Sequence, residues 1–142
     1  MQASPVRVLV VDDFAPWQIF VERHLRTHPN VRIVGFAADG LEAVQKAEEL
    51  LPDLILLDVG LPKANGIEAA KQIRARAPKS AILFFSDSSD PDVVTAALNA
   101  GGSGYVLKAA AGKDLIAGTK AVLNGEPFLS RALAPSEARL QQ

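Results

Sequence analysis

Polar side chains that can do chemistry stand where apolar runs of the sequence end. The run Leu54–Leu57 leads into Asp58, and the run Val6–Val11 leads into Asp12 and Asp13. Carboxylates that lie close together repel one another unless a cation or a proton comes between them. Oxygen ligands with room for water suit Mg²⁺. If the two runs are neighbouring strands, the three aspartates predict a magnesium site, to which a backbone carbonyl just past Asp58 could add a ligand.

Two further polar residues follow later apolar runs, Ser86 after residues 81–85 and Lys108 after residues 105–107. An aspartate can attack phosphoryl groups as a nucleophile, and phosphoryl transfer needs mainly alignment and charge neutralisation. An ammonium can neutralise phosphate charge, and a hydroxyl can donate to a phosphate oxygen. Singly, each residue is more often a helix cap, a turn residue, a backbone capper or a solvated charge. Their joint occurrence favours a phosphoryl site at Asp58.

The segments between these residues predict alternating strands and helices. Apolar runs bounded by turn residues indicate buried strands at 6–11, 31–37, 54–57, 81–85 and 105–107. Helical spacing of apolar residues predicts a helix after each strand, with Asp39, Asn65 and Asp90 at three of the starts. This alternation predicts an α/β fold, a flavodoxin-like (βα)5 doubly wound parallel sheet of strand order 2-1-3-4-5. In that order strands 1 and 3 are neighbours, so the three aspartates converge.

Composition bounds the remaining possibilities. The chain has 142 residues, of which 49% are hydrophobic and 22% charged, and its net charge is −1, so we expect one globular domain without a basic field for nucleic acid. The sequence contains no cysteine, which excludes disulfides and cysteine metal sites. We find neither a leader pattern nor an apolar membrane span and expect a soluble, cytoplasmic protein. We place the domain at residues 1–127 and a C-terminal extension or the start of a linker at 128–142.

The motifs together resemble the receiver domain of bacterial response regulators. The matching features are Val-Asp-Asp ending at Asp13, Leu-Leu-Asp-Val-Gly-Leu-Pro-x-x-Asn-Gly around Asp58, Ser86, and Gly-Tyr-Val-Leu-Lys ending at Lys108. The resemblance covers Val6 to about Gly125. It is closest to the NarL/FixJ/LuxR-type branch, whose members usually carry a C-terminal helix-turn-helix.

The resemblance implies a role for each site residue. Asp58 would accept a phosphoryl group from the phosphohistidine of a histidine kinase in a Mg²⁺-dependent reaction. Asp13 and Asp58 would be direct Mg²⁺ ligands together with the Gly60 carbonyl, and Asp12 would act through water.

Three residues would then bind the phosphoryl group or respond to it. Ser86 and Lys108 would contact the phosphoryl oxygens, and the rotamer of Tyr105 would follow Ser86. The surface formed by the fourth helix, the fifth strand and the fifth helix would switch with them.

The expected function is a phosphoacceptor module of a two-component system, an enzyme only in catalysing its own phosphorylation and dephosphorylation. The output is expected to be transcription, with DNA bound only through a further C-terminal domain. The alternative is a single-domain receiver that acts by protein contact. A Mg²⁺ phosphohydrolase is less favoured, because such enzymes usually place a second acid where this chain has Gly60. Homodimerisation on phosphorylation is a further expectation, and no membrane partner is expected.

Several positions depart from the family pattern. Asp87 adds an anion beside the site, and Ala109 stands where many receivers have proline, which leaves the geometry of the Lys108–Ala109 peptide open. Gly118 costs the fifth helix about 1 kcal/mol relative to alanine, which predicts a soft helix. Trp17 is expected to be a core aromatic of the first helix, close enough to the aspartates for its fluorescence to report Mg²⁺.

Overall fold

The predicted alternation of strands and helices is present, with one strand added. The structure is a computed structural model that describes residues 4–133. The strands are β1 (Val6–Val11), β2 (Val31–Ala37), β3 (Leu54–Leu57), β4 (Ala81–Ser86), β5 (Gly104–Leu107) and β6 (Phe128–Leu129). The helices are α1 (Ala15–Arg26), α2 (Gly40–Leu50), α3 (Gly66–Arg76), α4 (Pro91–Asn99) and α5 (Ala111–Leu123), and short 3-10 helices cover Lys108–Ala110 and Arg131–Leu133.

The strands form one parallel sheet of order β2-β1-β3-β4-β5-β6. The predicted order of the first five strands is therefore confirmed. Strand β6 was not predicted, because two residues are too few to show strand alternation. The domain boundary after residue 127 stays a prediction, and residues 134–142 of the expected extension lie outside the described residues.

The core lies on both faces of the sheet, as expected where helices cover a parallel sheet on each side. Alternate residues of each strand point to opposite faces. In β3, Leu54 and Leu56 belong to the cluster beneath α1 and α5, whereas Ile55 and Leu57 belong to the cluster beneath α2, α3 and α4. All four side chains are at most 1% exposed. Asp58 therefore follows a strand that is apolar on both faces.

Short polar side chains start three helices as predicted. Asp39 accepts a hydrogen bond from the Glu42 N–H at 2.8 Å, and Asn65 accepts one from the Glu68 N–H at 2.9 Å. Asp90 caps α4 with Pro91 in its first turn. Helix α1 has Phe14 at its cap and no side-chain cap bond. The aspartate pair after β1 therefore does not cap α1.

The expected softness of α5 has a packing counterpart at Gly118. This glycine is buried, and a Cβ there would lie 2.9 Å from Val106 Cγ2 and 3.1 Å from the Phe128 ring. Its lack of a side chain lets α5 lie close against β5 and β6.

Among residues 4–133 every peptide bond is trans, including Lys108–Ala109. In the same range, we find no helix with the length and apolarity needed to cross a membrane.

Helix α3 begins against the backbone of Asp58, and only glycine fits there. A Cβ on Gly66 would lie 1.9 Å from the Asp58 carbonyl oxygen. The Gly66 N–H donates to the Val59 carbonyl at 2.8 Å. The carbonyl oxygen belongs to the backbone and the Cβ position is fixed by the backbone, so no side-chain rotation can relieve the clash. Gly66 thus fixes the segment that follows Asp58.

Replacing Gly66 tests this close approach. We expect Gly66→Ala to lower the free energy of unfolding by at least about 2 kcal/mol, because the new methyl group overlaps the Asp58 carbonyl. The matched control is Gly112→Ala in α5, where a Cβ meets no atom within 4 Å and alanine should add up to about 1 kcal/mol. Urea denaturation of both variants measures the difference, and equal stabilities would contradict the close approach.

Candidate phosphoryl and metal site

The ends of β1 and β3 bring the predicted aspartates together. Val11 and Leu57 are register partners, so the residues that follow them are neighbours. The Asp58 N–H donates to the Val11 carbonyl at 3.1 Å. Asp12 and Asp58 are buried, whereas Asp13 is exposed. One carboxylate oxygen from each of Asp12, Asp13 and Asp58 lies within 4.8 Å of the others, as the sequence predicted.

Lys108 places its ammonium between two of these carboxylates. Its Nζ lies 2.7 Å from Asp12 Oδ2 and 3.2 Å from Asp58 Oδ2. Both ion pairs are almost fully enclosed, since the Lys108 and Asp12 side chains are 3% exposed and that of Asp58 is 9% exposed. Lys108 is the first residue of the 3-10 helix after β5. The end of β5 therefore places the Lys108 ammonium beside the aspartates, whereas most lysines in proteins extend into solvent.

Aromatic rings form the apolar side of the lysine's surroundings. The Lys108 Nζ lies 5.3 Å from the centroid of the Trp17 ring and 5.7 Å from that of Phe85. Trp17 and Phe85 meet edge to face at 5.3 Å. The two distances from the Lys108 Nζ to the ring centroids fall within the range of cation–π attraction. Trp17 lies in α1 and packs against the core as predicted, but it is only partly buried, because it also lines the acidic cavity.

Burial and charge change the proton affinities of the pair in the site. Burial raises the pKa of Asp58 above its ordinary value of 3.8, and the neighbouring Asp12 carboxylate adds to the rise while Lys108 opposes it. Burial alone would lower the pKa of the Lys108 ammonium, but Asp12 and Asp58 together raise it. The lysine therefore stays charged, and the ionised form of Asp58 is held at a cost to folding.

The donor set suits a hard cation such as Mg²⁺. Asp12 Oδ1 accepts the Phe14 N–H at 2.9 Å, whereas Asp12 Oδ2 is buried and has no hydrogen bond of good geometry despite the nearby ammonium. Gly60 is exposed, and no atom lies within 4 Å of where its Cβ would be. Three carboxylates with one ammonium leave an excess of negative charge beside open space. Oxygen ligands of this kind fit Mg²⁺, which keeps several waters.

Ser86 and Tyr105 lie next to the aspartates under one loop. Ser86 is buried, and its Oγ accepts the Ser88 N–H at 3.2 Å, so its own proton stays available to a further acceptor. The Tyr105 hydroxyl donates to the Ser88 carbonyl at 2.8 Å. Burial raises the pKa of Tyr105, which keeps this donor protonated. The tyrosine ring is 0% exposed, so it already lies inside the fold in this structure.

A cavity of about 410 Å³ joins these groups. Its walls include Asp13, Asp58, Gly60, Ser86 and Lys108 together with Phe14, Trp17, Asp87 and Ser88. The structure thus brings Asp13, Asp58, Gly60, Ser86 and Lys108 to one space, whereas Asp12 is buried and contacts Lys108. Tyr105 does not line this space and lies beneath the loop that follows Ser86.

Sequence reasoning missed some supports of the site. Gln18 Nε2 donates to the Asp12 carbonyl at 2.7 Å and holds the turn after β1. Phe85 faces Lys108, a contact that no motif indicates because it depends on the register between β4 and β5. The only signal in the sequence was the position of Gln18 in the first turn of α1, five residues after Asp13.

Known proteins are similar to this chain in sequence. The sequence profile of the response regulator receiver domain matches residues 8–120. The nitrate/nitrite response regulator protein NarL of Escherichia coli K12 is 35% identical over 132 residues, which are 93% of this chain and 61% of NarL. A protein-glutamate methylesterase/protein-glutamine glutaminase of Thermotoga maritima is 42% identical over 104 residues, 72% of this chain and 30% of that protein.

A solved structure is similar over almost its whole length. The crystal structure of a two-component response regulator of the LuxR family from Aurantimonas sp. SI85-9A1 gives a TM-score of 0.90 at 31% identity, and the match covers 97% of this chain and 99% of that one. By contrast, this chain spans about three fifths of NarL and less than a third of the Thermotoga protein. What these proteins share with the chain is thus the domain that carries the aspartates.

The excess of buried negative charge makes a testable demand on stability. We expect Asp58→Asn to raise the Tm of the metal-free protein at pH 7 by about 2–4 °C, because the variant removes a carboxylate that is costly to ionise. The gain should shrink as the pH falls through the raised pKa of Asp58 and vanish only below the ordinary value of 3.8, where Asp58 is protonated in both the folded and the unfolded wild type.

The same measurement in Mg²⁺ separates charge repulsion from other effects. Mg²⁺ should stabilise the wild type more than Asp58→Asn, which has lost a ligand. Glu49→Gln, which removes one charge from the exposed face of α2, should leave both Tm values unchanged. An Asp58→Asn variant that is less stable than the wild type in EDTA would contradict the account.

Proposed function

Because the chain belongs to the response regulator receiver domain family, we propose that it is a phosphoacceptor whose nucleophile is Asp58. The observation that carries the proposal is the ion-paired set around this aspartate. Lys108 lies 3.2 Å from Asp58 Oδ2, and one carboxylate oxygen each of Asp12, Asp13 and Asp58 lies within 4.8 Å of the others. Receiver domains belong to two-component signalling, so the proposed outcome is a signal rather than turnover of a substrate.

The proposed reaction transfers a phosphoryl group to Asp58. A carboxylate oxygen attacks phosphorus, a P–O bond forms, and the P–N bond of the donor phosphohistidine breaks. The imidazole leaves with the electron pair and takes up a proton. Mg²⁺, held by Asp13, Asp58 and the Gly60 carbonyl with Asp12 through water, would neutralise charge between the carboxylates and the phosphoryl oxygens.

Lys108 and Ser86 would receive the new group. The ammonium already lies beside Asp58 Oδ2, so it needs only a small shift from Asp12 to reach a phosphoryl oxygen. The Ser86 hydroxyl turns its free proton toward a second oxygen. Since Ser88 is bonded both to Ser86 and to Tyr105, a movement of Ser86 carries the loop with it and changes the support of the tyrosine.

A phosphohydrolase is less well supported by the same geometry. Position 60 is an exposed glycine, so the acid that would protonate a leaving group is not there. The match to the Thermotoga esterase covers only 30% of that protein. We therefore assign no catalytic turnover to this domain beyond its own phosphorylation and dephosphorylation.

The partners follow from the proposed role. The phosphoryl donor would be a cognate histidine kinase, and the domain would work in the cytoplasm. NarL is longer than this chain, which supports an output through a further domain. From the family resemblance, we propose that this domain is C-terminal and binds DNA, and that the receiver homodimerises on phosphorylation. A single-domain receiver that signals by protein contact is the alternative, and the length of the natural gene product decides between them.

Acetyl phosphate tests the phosphoacceptor directly. With Mg²⁺, we expect intact-mass spectrometry of the wild type to show one phosphoryl adduct that disappears on removal of Mg²⁺ by EDTA. Asp58→Asn should show no adduct, because the nucleophilic carboxylate is gone. Asp53→Asn is the control, since that carboxylate accepts the Arg7 N–H at 2.8 Å at the opposite end of the sheet, and it should be modified like the wild type. An equal adduct in Asp58→Asn would contradict the proposal.

Asp87 should weaken the hold on an anionic phosphoryl group. It is exposed and lines the cavity, where its charge faces the incoming group. We expect Asp87→Asn to tighten Mg²⁺-dependent beryllofluoride binding by about two- to fivefold, the range typical of an exposed charge.

Salt decides whether this effect is electrostatic. A charge effect at an exposed side chain should be present in 50 mM salt and largely lost in about 0.5 M salt, because the added ions screen interactions between exposed charges. Trp17 emission follows the titration. A gain in affinity that does not depend on salt would instead indicate a change in the loop after Ser86.

A further inference from the structure

The segment Phe128–Leu133, which we call the C-terminal clasp, closes the edge of the sheet beside β5. Its strand part pairs Phe128 with Gly104 and Leu129 with Tyr105. The chain then turns through Ser130 into a 3-10 helix, closed by a hydrogen bond from the Leu133 N–H to the Ser130 carbonyl at 2.8 Å. The six residues of the clasp thus lie beside β5, the strand that leads into Lys108.

Ser130 ties the clasp to the backbone on both sides of Val106. Its N–H donates to the Tyr105 carbonyl at 3.0 Å, and its Oγ accepts the Leu107 N–H at 2.9 Å. Ser130 is 0% exposed, so both bonds are shielded from water. A side-chain oxygen here takes the place of a third strand-pairing bond. It acts on the residue that immediately precedes Lys108.

Apolar contacts hold the clasp on both faces of the sheet. Phe128 packs with the cluster beneath α1 and α5, and its ring lies near Gly118. Leu129 and Leu133 pack against the other cluster, which contains Tyr105 and Leu107. These three side chains are only partly buried. The clasp is therefore attached through a few bonds, which is typical of an element that can open locally.

We propose that the clasp transmits the phosphorylation state of Asp58, with Ser130 as the residue that positions it. The proposal rests on the proposed function, since it needs a phosphoryl group at Asp58. Two residues would respond to that group: Tyr105 is the first of the three residues that Ser130 spans, and Lys108 directly follows the last. A phosphoryl group that fixes both residues also fixes the β5 backbone on which the clasp lies.

The direction of the effect follows from linkage. If phosphorylation orders the end of β5, the docked clasp is favoured, and by reciprocity the docked clasp favours the phosphorylated geometry. The clasp would be released more often from the unmodified domain. The surface of α4 and β5 beside the clasp would then be covered by it more often in the phosphorylated domain than in the unmodified domain.

Amide hydrogen exchange of the wild type measures clasp docking. On addition of Mg²⁺ and beryllofluoride, we expect exchange in the peptide that contains Ser130 and Leu133 to slow by at least about threefold. Trp17 emission in the same samples reports whether the phosphoryl mimic has bound. No emission change and no adduct would defeat the proposed function itself. Binding with unchanged exchange in the clasp would overturn only the present inference.

A pair of serine variants tests the coupling from the other side. Ser130→Ala should raise the Kd for beryllofluoride by about two- to fivefold, the equivalent of one partly coupled hydrogen bond, and abolish the slowing of exchange. The control is Ser80→Ala, because Ser80 is also buried and its Oγ donates to the Pro52 carbonyl at 2.5 Å at the other end of the sheet. Ser80→Ala should leave the Kd within twofold of the wild type. Equal Kd values in both variants would overturn the role of Ser130.

Discussion

The interaction on which the site depends is the pairing of the buried Lys108 ammonium with Asp12 and Asp58. Two enclosed carboxylates this close to each other would repel strongly in a medium of low polarity. Lys108, at 2.7 Å and 3.2 Å from them, offsets part of the repulsion. Asp13 adds a third carboxylate, so the site keeps an excess of negative charge. That excess is the physical basis of our proposal that the site binds a cation and accepts a phosphoryl group only when the cation is present.

The sheet and the start of α3 hold these charged side chains at fixed distances from one another. Apolar strands of the parallel sheet end together, and α3 starts so close to Asp58 that Gly66 has no room for a side chain. In our proposal, a new charge at Asp58 acts on two parts attached to this frame. They are the loop after Ser86, in which the Ser88 carbonyl accepts the Tyr105 hydroxyl, and the clasp that Ser130 attaches to β5. Stability is given up at the aspartates, as is common at functional sites.

Most of this arrangement could be predicted from the sequence, because strand ends of a parallel sheet converge by geometry. The strand order and the convergence of Asp12, Asp13 and Asp58 needed only hydrophobic pattern and topology. The contact of Phe85 with Lys108 could not be predicted, since it depends on the register between β4 and β5. Strand β6 was missed because its two residues carry no periodicity, and the hydroxyl of Ser130 looks like that of any loop serine. The roles assigned to the site residues remain predictions.

The most direct test of the central claim is to locate the phosphoryl group chemically. After reaction with acetyl phosphate and Mg²⁺, borohydride reduces an aspartyl phosphate to homoserine, which peptide mass spectrometry can place on the sequence. The account predicts homoserine at position 58 and at no other position, and none when EDTA replaces Mg²⁺. Homoserine at position 12 or 13, or an unmodified Asp58 in protein that carries the adduct, would contradict it.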